Sequence, residues 1–594
     1  MSPLPRRDAA LAGVAAAAVA IGAAEPVAVL TGPRSAPLIA VGGLVVDVVP
    51  EPLKQFAIGL FGRYDKIALL AGTVLLLAAF AALLGVLAAR RLWIGLAGIA
   101  AFAALGVAAA LTRPGADPFD ALPSLIGAGL GAGTLWLLLA GPLRPDLWPW
   151  TPPEPPASTV PSAAPTGRAA PIAPSGPSAP AAPPEPAAPP APAAPPAPAE
   201  PPERAAPAGQ PEPAVPQPAT PGASGAESAG RAPARVEVDP DGRRRFLAGV
   251  GWLTGSAVAV GLGGHWLAGL RGVSSARRAV TLPAPASPAP PVPAGADLSL
   301  TQLAPWSTPN SGFYRIDTAL VVPQVDPDTW RLRIHGRVRN PIELSFADLL
   351  ARPLVERYVT LACVSNEVGG DLIGNARWLG VPIKELLDEA QPEEGADQVV
   401  GRSVDGWTCG TPTAVLRDGR DALLAVGMNG EPLPVEHGFP VRMVVPGLYG
   451  YVSACKWVTE LELTSFADFD AYWVPRGWSA QGPIKTQSRI DTPRRGNRVT
   501  AGPVTVAGVA WAQHRGVRRV EVRVDDGPWQ EATLAPTASV DTWVQWSWRW
   551  SATPGDHTLQ VRATDAAGDT QTGQRRPVAP DGATGWHTVP VTVR

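Results

Sequence analysis

Four runs within the first 150 residues, 9–30, 67–89, 92–111 and 122–140, are almost uninterruptedly apolar, and a fifth follows at 248–270. Each approaches the ~20 residues that a helix needs to cross a bilayer core. In that medium every backbone N–H and C=O has to be satisfied within the segment, so these runs are expected to be membrane helices. A further apolar stretch, 37–49, is short and carries Asp47, which suits a re-entrant or interfacial element. Arginines orient the set. Arg6 and Arg7 precede the first run, Arg90 and Arg91 divide the second from the third, and Arg144 follows the fourth. All lie in the cytoplasm if four helices cross and the amino terminus is inside. Lys54, Arg63 and Lys66 then lie outside, against the rule. Residues 1–148 thus read as a multi-pass membrane region.

Composition explains the next stretch. The chain has 71 prolines, where ordinary usage of about 5% gives roughly 30. Much of the excess sits in 149–240, a Pro/Ala/Glu/Ser segment with almost no large apolar residue. It buries too little surface to offset its ordering entropy and is expected to be a disordered tether. Residues 241–272 hold Arg243-Arg244-Arg245-Phe246-Leu247 ahead of the fifth apolar run. That order resembles a twin-arginine export signal, and it equally suits a positive anchor beside an ordinary spanning helix. A second Pro/Ala stretch makes 273–300 read as another linker.

Beyond 300 the pattern is water-soluble. Trp330-Arg-Leu-Arg-Ile-His335-Gly336 alternates as a strand, and Ser345 is placed to cap a short helix over Phe346-Ala-Asp-Leu-Leu350. Further strands are expected at Tyr358-Val-Thr-Leu-Ala-Cys363 and Val441-Arg-Met-Val-Val445. This defines an α+β domain over 301–480. Short strands and turn signals alone fill 484–594, which predicts an all-β sandwich.

Cys363 ends a strand and opens the polar, glycine-containing loop Val364-Ser-Asn-Glu-Val-Gly-Gly370. An isolated cysteine most often simply packs. Here Gly369, Gly370 and Gly374 permit close approach to a ligand, His437 and Arg442 flank Gly438-Phe-Pro440, and Lys456 closes the next loop. A soft thiolate with dispersed His, Arg and Lys suits a metal carried by an anionic, phosphate-bearing cofactor.

On these residues the segment from about Gly312 to Arg594 resembles the sulfite-oxidase-type molybdopterin oxidoreductases. The matching stretches are Phe313-Tyr314-Arg315, Thr360-Leu-Ala-Cys363, Met428-Asn-Gly-Glu-Pro-Leu-Pro434, His437-Gly-Phe-Pro-Val-Arg442, Val445-Pro-Gly447 and Lys456-Trp457. The tail, with Val520-Glu-Val-Arg-Val-Asp525 and Arg562-Ala-Thr-Asp565, resembles that family's immunoglobulin-like dimerisation domain. The resemblance implies a molybdenum–molybdopterin cofactor with Cys363 as the protein thiolate on the metal. It implies that Phe313, Tyr314, Arg315, His437, Arg442 and Lys456 contact the cofactor, and that Arg315 also serves the substrate pocket. It further implies oxygen-atom transfer on a small oxo-compound, a separate electron-transfer partner and a homodimer through the last domain.

Departures accompany the match. The basic pair that follows the cysteine in sulfite oxidases is Glu367-Val368 here, their Phe-Val-Arg-Asn-His is Phe313-Tyr-Arg-Ile-Asp317, and their active-site tyrosine falls near Trp478. The spacing from Gly450 to Lys456 is one residue longer. Loss of an arginine fork disfavours sulfite. Cys409 and Cys455 read as packing residues, Asp405 as part of an Asp-Gly turn, and Trp543, Trp546, Trp548 and Trp550 as a sandwich core or dimer seam.

The near-neutral charge of -2 removes nucleic acid as a partner class. The first four helices contain no histidine, so no membrane haem of this chain's own is expected. They also show almost no ionisable residues of the kind that transport usually needs. The expectation is a membrane-anchored enzyme with its catalytic domain on the extracytoplasmic side. The alternative is a cofactor-free, membrane-tethered binding or assembly protein that keeps the fold.

Overall fold

The computed structural model describes residues 4–49, 65–113, 116–144, 240–270 and 272–594. The tether expected at 149–240 lies almost wholly outside these residues, as do Lys54 and Arg63.

The first helices are α1 (Arg6–Thr31), α2 (Pro37–Val48), α3 (Asp65–Ala88), α4 (Leu92–Leu111), α5 (Leu122–Leu139) and α6 (Pro240–Leu270). Five segments are long and apolar enough to cross a membrane: 6–31, 68–88, 92–111, 118–139 and 242–264. The short α2 is not among them. Helix α1 is the hub and packs against α3, α5 and α6. Small residues allow this: a side chain at Gly13 would strike the Ala81 carbonyl, and one at Gly22 the Ala257 carbonyl. Close backbone approach of this kind drives association where lipid tails are as apolar as the helices.

The two ends of the bundle differ. Asp8 pairs with Arg243 at 3.5 Å, Ala9 lies against Gly85, and Leu143 lies against Gly249. These contacts gather Arg6, Arg7, Arg90, Arg91, Arg144 and Arg243 to Arg245 at one end. At the other end the Arg34 guanidinium donates to the Val404 carbonyl, and Gly42 of α2 lies against the Leu320 side chain.

The reading of 273–300 as a linker is corrected. Helix α7 (Ser274–Ala279) is docked by Arg277, which donates to the Leu433 carbonyl at 2.7 Å and pairs with Glu431 at 2.9 Å. The following chain then adds to a sheet edge: Ala286 N donates to Leu354 O (2.7 Å), and Glu356 N to Ser287 O (2.8 Å). Proline-rich chain can do this because an edge position leaves the missing N–H facing away from the ladder.

The α+β domain has two five-stranded sheets. One runs Ile342–Ser345, Arg331–Gly336, Val458–Thr464, Gln398–Ser403, Thr408–Pro412; the other includes Val355–Ala362, Ile373–Pro382 and Leu423–Met428, with Arg442–Val444 paired to the last. Ser345 caps its helix as expected: its Oγ accepts from Asp348 N at 3.1 Å, and Asp348 returns the bond. Residues 487–593 form a sandwich of a four- and a five-stranded sheet. Trp546 and Trp550 are buried in its core, whereas Trp543 is buried against the α+β domain, donating through Nε1 to Trp306 O at 2.8 Å.

Candidate molybdopterin site

Cys363 sits where the strand Val355–Ala362 leaves its sheet. Its N–H donates to Leu372 O at 2.9 Å, which closes the glycine loop, and its Sγ accepts from Ser365 N at 3.4 Å. The thiol is buried, and burial pushes its pKa up, against the pull of Ser365 and the Lys456 ammonium.

Phe313 stacks on Tyr314 (5.2 Å between centroids) and meets Trp378 (5.7 Å) and His437 (5.6 Å) edge-on. It covers Gly374, where any side chain would strike the ring. Burial raises the Tyr314 hydroxyl well above its ordinary value, with Cys363 and Arg442 both within electrostatic range.

The turn Val435–His437 ends at Gly438 with φ 112°, a left-handed conformation that costs glycine little. His437 Nε2 lies 3.2 Å from Asn310 O, and burial together with Arg442 and Lys456 pulls its pKa down to about 4. Arg442 starts the next strand and reaches back: Nη1 donates to His437 O at 3.1 Å and Nε to Met443 O at 3.4 Å. It lies over the Trp378 ring at 5.1 Å, and burial lowers its pKa to about 10, so it stays charged at neutral pH. Its third nitrogen, Nη2, has no hydrogen-bond partner among the described residues.

Lys456 is buried, with Nζ 2.8 Å from Asp317 Oδ2 and 3.3 Å from Glu436 O. Burial lowers its pKa to about 8, against the pull of Asp317. The same carboxylate takes Arg315, at 2.7 Å from Nε and 3.2 Å from Nη2. Arg315 stands on the exposed rim, while Cys363, Phe313, Tyr314, His437, Arg442 and Lys456 converge behind it.

Several participants escape sequence reasoning. Asp317 counts there only as a lost histidine, although two-residue spacing on extended chain puts it beside Arg315. Trp378 carries no signal, because it is one tryptophan of 20. From the sandwich, Arg489 donates to Gly370 O at 2.7 Å, and His587 packs against Gly369, so the last domain braces the loop after Cys363. Trp478 is buried beside Tyr451 (5.9 Å) and Trp473 (6.1 Å); Tyr449 is the residue of that region in electrostatic range of Cys363. Cys409 and Cys455 are free and buried, and Asp405 accepts from Trp407 N at 3.2 Å in its Asp-Gly turn.

Two partly or fully desolvated histidines set a pH prediction. His587, whose Nδ1 accepts from Ile490 N at 3.0 Å, is like His437 pulled down to about 4, chiefly by burial. Unfolded, each titrates near ~6.5. Between those values the unfolded chain binds more protons, so stability is full above ~6.5 and falls as pH drops towards 4. Melting of the cofactor-free protein is expected to shift down by several degrees from pH 7 to pH 5. His587→Gln should flatten that slope.

The oxidoreductase molybdopterin binding domain model matches residues 319–473, and the bacterial Ig domain model matches 487–561. Mitochondrial sulfite oxidase of Rattus norvegicus is 33% identical over 287 residues, covering 41% of this chain and 52% of that protein. The uncharacterised oxidoreductase YuiH of Bacillus subtilis is 33% identical over 183 residues, 30% of this chain and 88% of its own length. The crystal structure of the sulfane dehydrogenase SoxCD from Paracoccus pantotrophus shares 25% identity at a TM-score of 0.44, over 49% of this chain and 82% of that one. The chain belongs to the sulfite-oxidase-type molybdopterin oxidoreductase family. It spans about half the length of the sulfite oxidases it matches.

The residues present fit the molybdenum–pterin group that this family implies. Arg442 offers spare charged donors inside the fold, which suits a phosphate. Among the described residues no three His, Cys, Asp or Glu side chains converge on one point, which suits a metal brought in by its own organic cofactor. A metal at Sγ reverses the protonation that burial imposes on the thiol.

Proposed function

We propose that the chain is a membrane-anchored molybdenum oxidoreductase that moves an oxygen atom to or from a small oxo-compound. Its catalytic domain then lies on the extracytoplasmic side. The observation that carries the chemistry is the buried Cys363 within electrostatic range of Tyr314 and Lys456, both of which Arg442 also reaches. When bound, the molybdenum–pterin group supplies the two-electron change and the oxygen transfer. The chain's share is to hold the metal through Cys363 Sγ, clamp anionic cofactor oxygens with Arg442 and Lys456, and seat the pterin against Phe313 and His437. Tyr314, kept protonated by burial, offers its hydroxyl proton as a hydrogen-bond donor near the metal ligand.

The orientation follows from charge: the arginine-rich end of the bundle is opposite the catalytic domain, and positive ends stay cytoplasmic. Arg243 to Arg245 serve there as anchor and export signal. The sandwich domain provides a dimer contact.

Sulfite is not the favoured substrate. Arg315 and Lys456 share one carboxylate, Asp317, and Glu367 is exposed rather than turned to an anion. Asp317→Asn is therefore expected to raise the site's positive charge and lower the KM for sulfite about tenfold, by ~1.4 kcal/mol. Steady-state kinetics with a dye acceptor reads this; an unchanged KM counts against Asp317 as the discriminating group. The reading as a whole is tested by metal and pterin analysis of the purified protein with a panel of sulfur and nitrogen oxo-compounds. A well-folded protein without molybdenum would sink it.

A further inference from the structure

The membrane bundle touches the catalytic domain at two places beside the candidate site. Gly42 of α2 lies against Leu320, three residues from the Asp317 that holds Lys456. The turn between α1 and α2 reaches the tip of the hairpin that joins Gln398–Ser403 to Thr408–Pro412.

That turn presents one side chain. Gly32 takes φ 117°, which glycine alone adopts without strain. Ser35 Oγ donates to Gly32 O at 2.6 Å and lies 2.6 Å from Thr31 Oγ1. Arg34 Nη1 then donates to Val404 O at 2.5 Å. Burial lowers the Arg34 pKa, against the pull of Asp405. Withdrawing a cation from water is costly, and a charge-assisted hydrogen bond offsets the cost. Helix α2 is tied to the bundle as well, because Arg113, just past α4, donates to Ala40 O at 3.4 Å.

The residue that Arg34 grips bears on the lysine clamp. Val404 N donates to Trp457 O at 2.9 Å. Trp457 follows Lys456 and takes φ 51°, a left-handed backbone that a bulky residue keeps only where its surroundings hold it. Three contacts do so. Its carbonyl accepts from Val404, its Nε1 donates to Val435 O at 2.8 Å, and its ring centre lies 5.0 Å from Lys456 Nζ. Val435 opens the turn that carries His437. Trp457 thus joins Lys456 to His437, and Val404 joins Trp457 to the membrane bundle.

We infer that Arg34 is a positioning residue for the cofactor site: through it the membrane bundle holds the Val404 turn against Trp457 and so fixes Lys456 and His437 for an anionic cofactor. The inference deepens the molybdopterin reading above and rests on it for the cofactor. The contact itself does not depend on that reading. On this inference the helices are part of the enzyme's cofactor-binding structure as well as its anchor.

The test uses the full-length protein in mild detergent. In cofactor-free protein, hydrogen exchange read by mass spectrometry is expected to be faster in Arg34→Met than in wild type over 403–407 and 455–458. Exchange in the strand Val355–Ala362 should stay unchanged. Arg34→Lys, which keeps a charged donor, should restore most of the protection. In molybdenum-loaded protein, Arg34→Met should lose metal about tenfold faster on gel filtration, the lower end of what an outer-shell partner contributes. Gly42→Phe, which wedges α2 away from Leu320 and leaves Arg34 in place, should reproduce both effects and guards against a folding defect in the first variant. Wild-type exchange over 455–458 in Arg34→Met overturns the assignment. Faster exchange with wild-type metal retention overturns it too, since Arg34 then only docks the bundle. A wild type that holds no molybdenum removes the enzymatic reading, and the exchange pattern still supports or overturns Arg34 as the residue that orders 455–458.

Discussion

Cys363→Ser is expected to yield a folded chain that has lost at least about 100-fold in oxidoreductase activity and most of its molybdenum. The scale follows from metal sites, where loss of even an outer-shell partner costs 10–100-fold. The substitution is nearly isosteric, and the thiol's hydrogen-bond contacts are with the nearby Ser365, so the backbone around it keeps its partners. What disappears is the soft ligand, and a serine hydroxyl is a poor replacement because it is far less acidic than a thiol. Metal analysis beside a dye-coupled assay reads both losses, with circular dichroism as the control for folding. A variant that keeps wild-type molybdenum and turnover would remove Cys363 from the site.

Arg489→Met is expected to be the most destabilising single change in the second domain, by ~3–5 kcal/mol, the usual cost of stranding one member of a buried ion pair. Arg489 and Asp491 are both buried, with Nε 2.5 Å from Oδ1. Asp491 also accepts from Ala304 N at 3.0 Å, so its carboxylate stays inside when the guanidinium is removed. Arg489 further donates to Gly370 O, which ties the sandwich to the loop beside Cys363. The variant should therefore lose cofactor more readily as well as unfold earlier. Urea denaturation measures the first effect, and molybdenum retention after gel filtration measures the second. Arg489→Met combined with Asp491→Leu should recover much of the stability but not the brace on Gly370. Unchanged stability in the single variant would show the pair to be dispensable.

The local elements were largely legible. Ser345 with Asp348 three residues on is a reciprocal cap that depends only on nearby atoms, and it forms as read. The apolar runs were equally plain, since a spanning helix satisfies its own backbone whatever surrounds it. The stretch 273–300 was not legible. Proline content suggests a free linker, but whether such chain docks depends on an open sheet edge, here Val355 and its neighbours, far away in sequence.

The site divides in the same way. Residue types with short-range requirements stand in the sequence: a cysteine at a strand end, the glycine after His437, the arginine entering the next strand. Those motifs determined the family and marked the candidate thiolate, and the apolar runs marked helices long enough to cross a membrane. Only the tertiary structure decided the charge of the pocket, because Asp317, already beside Arg315, pairs with Lys456 across 139 residues of sequence. Only it brought Arg489 and His587 to the Cys363 loop. Pairings of that kind are set by which elements pack together, and Coulomb and hydrogen-bond energies act over a few ångströms of space without regard to distance along the chain.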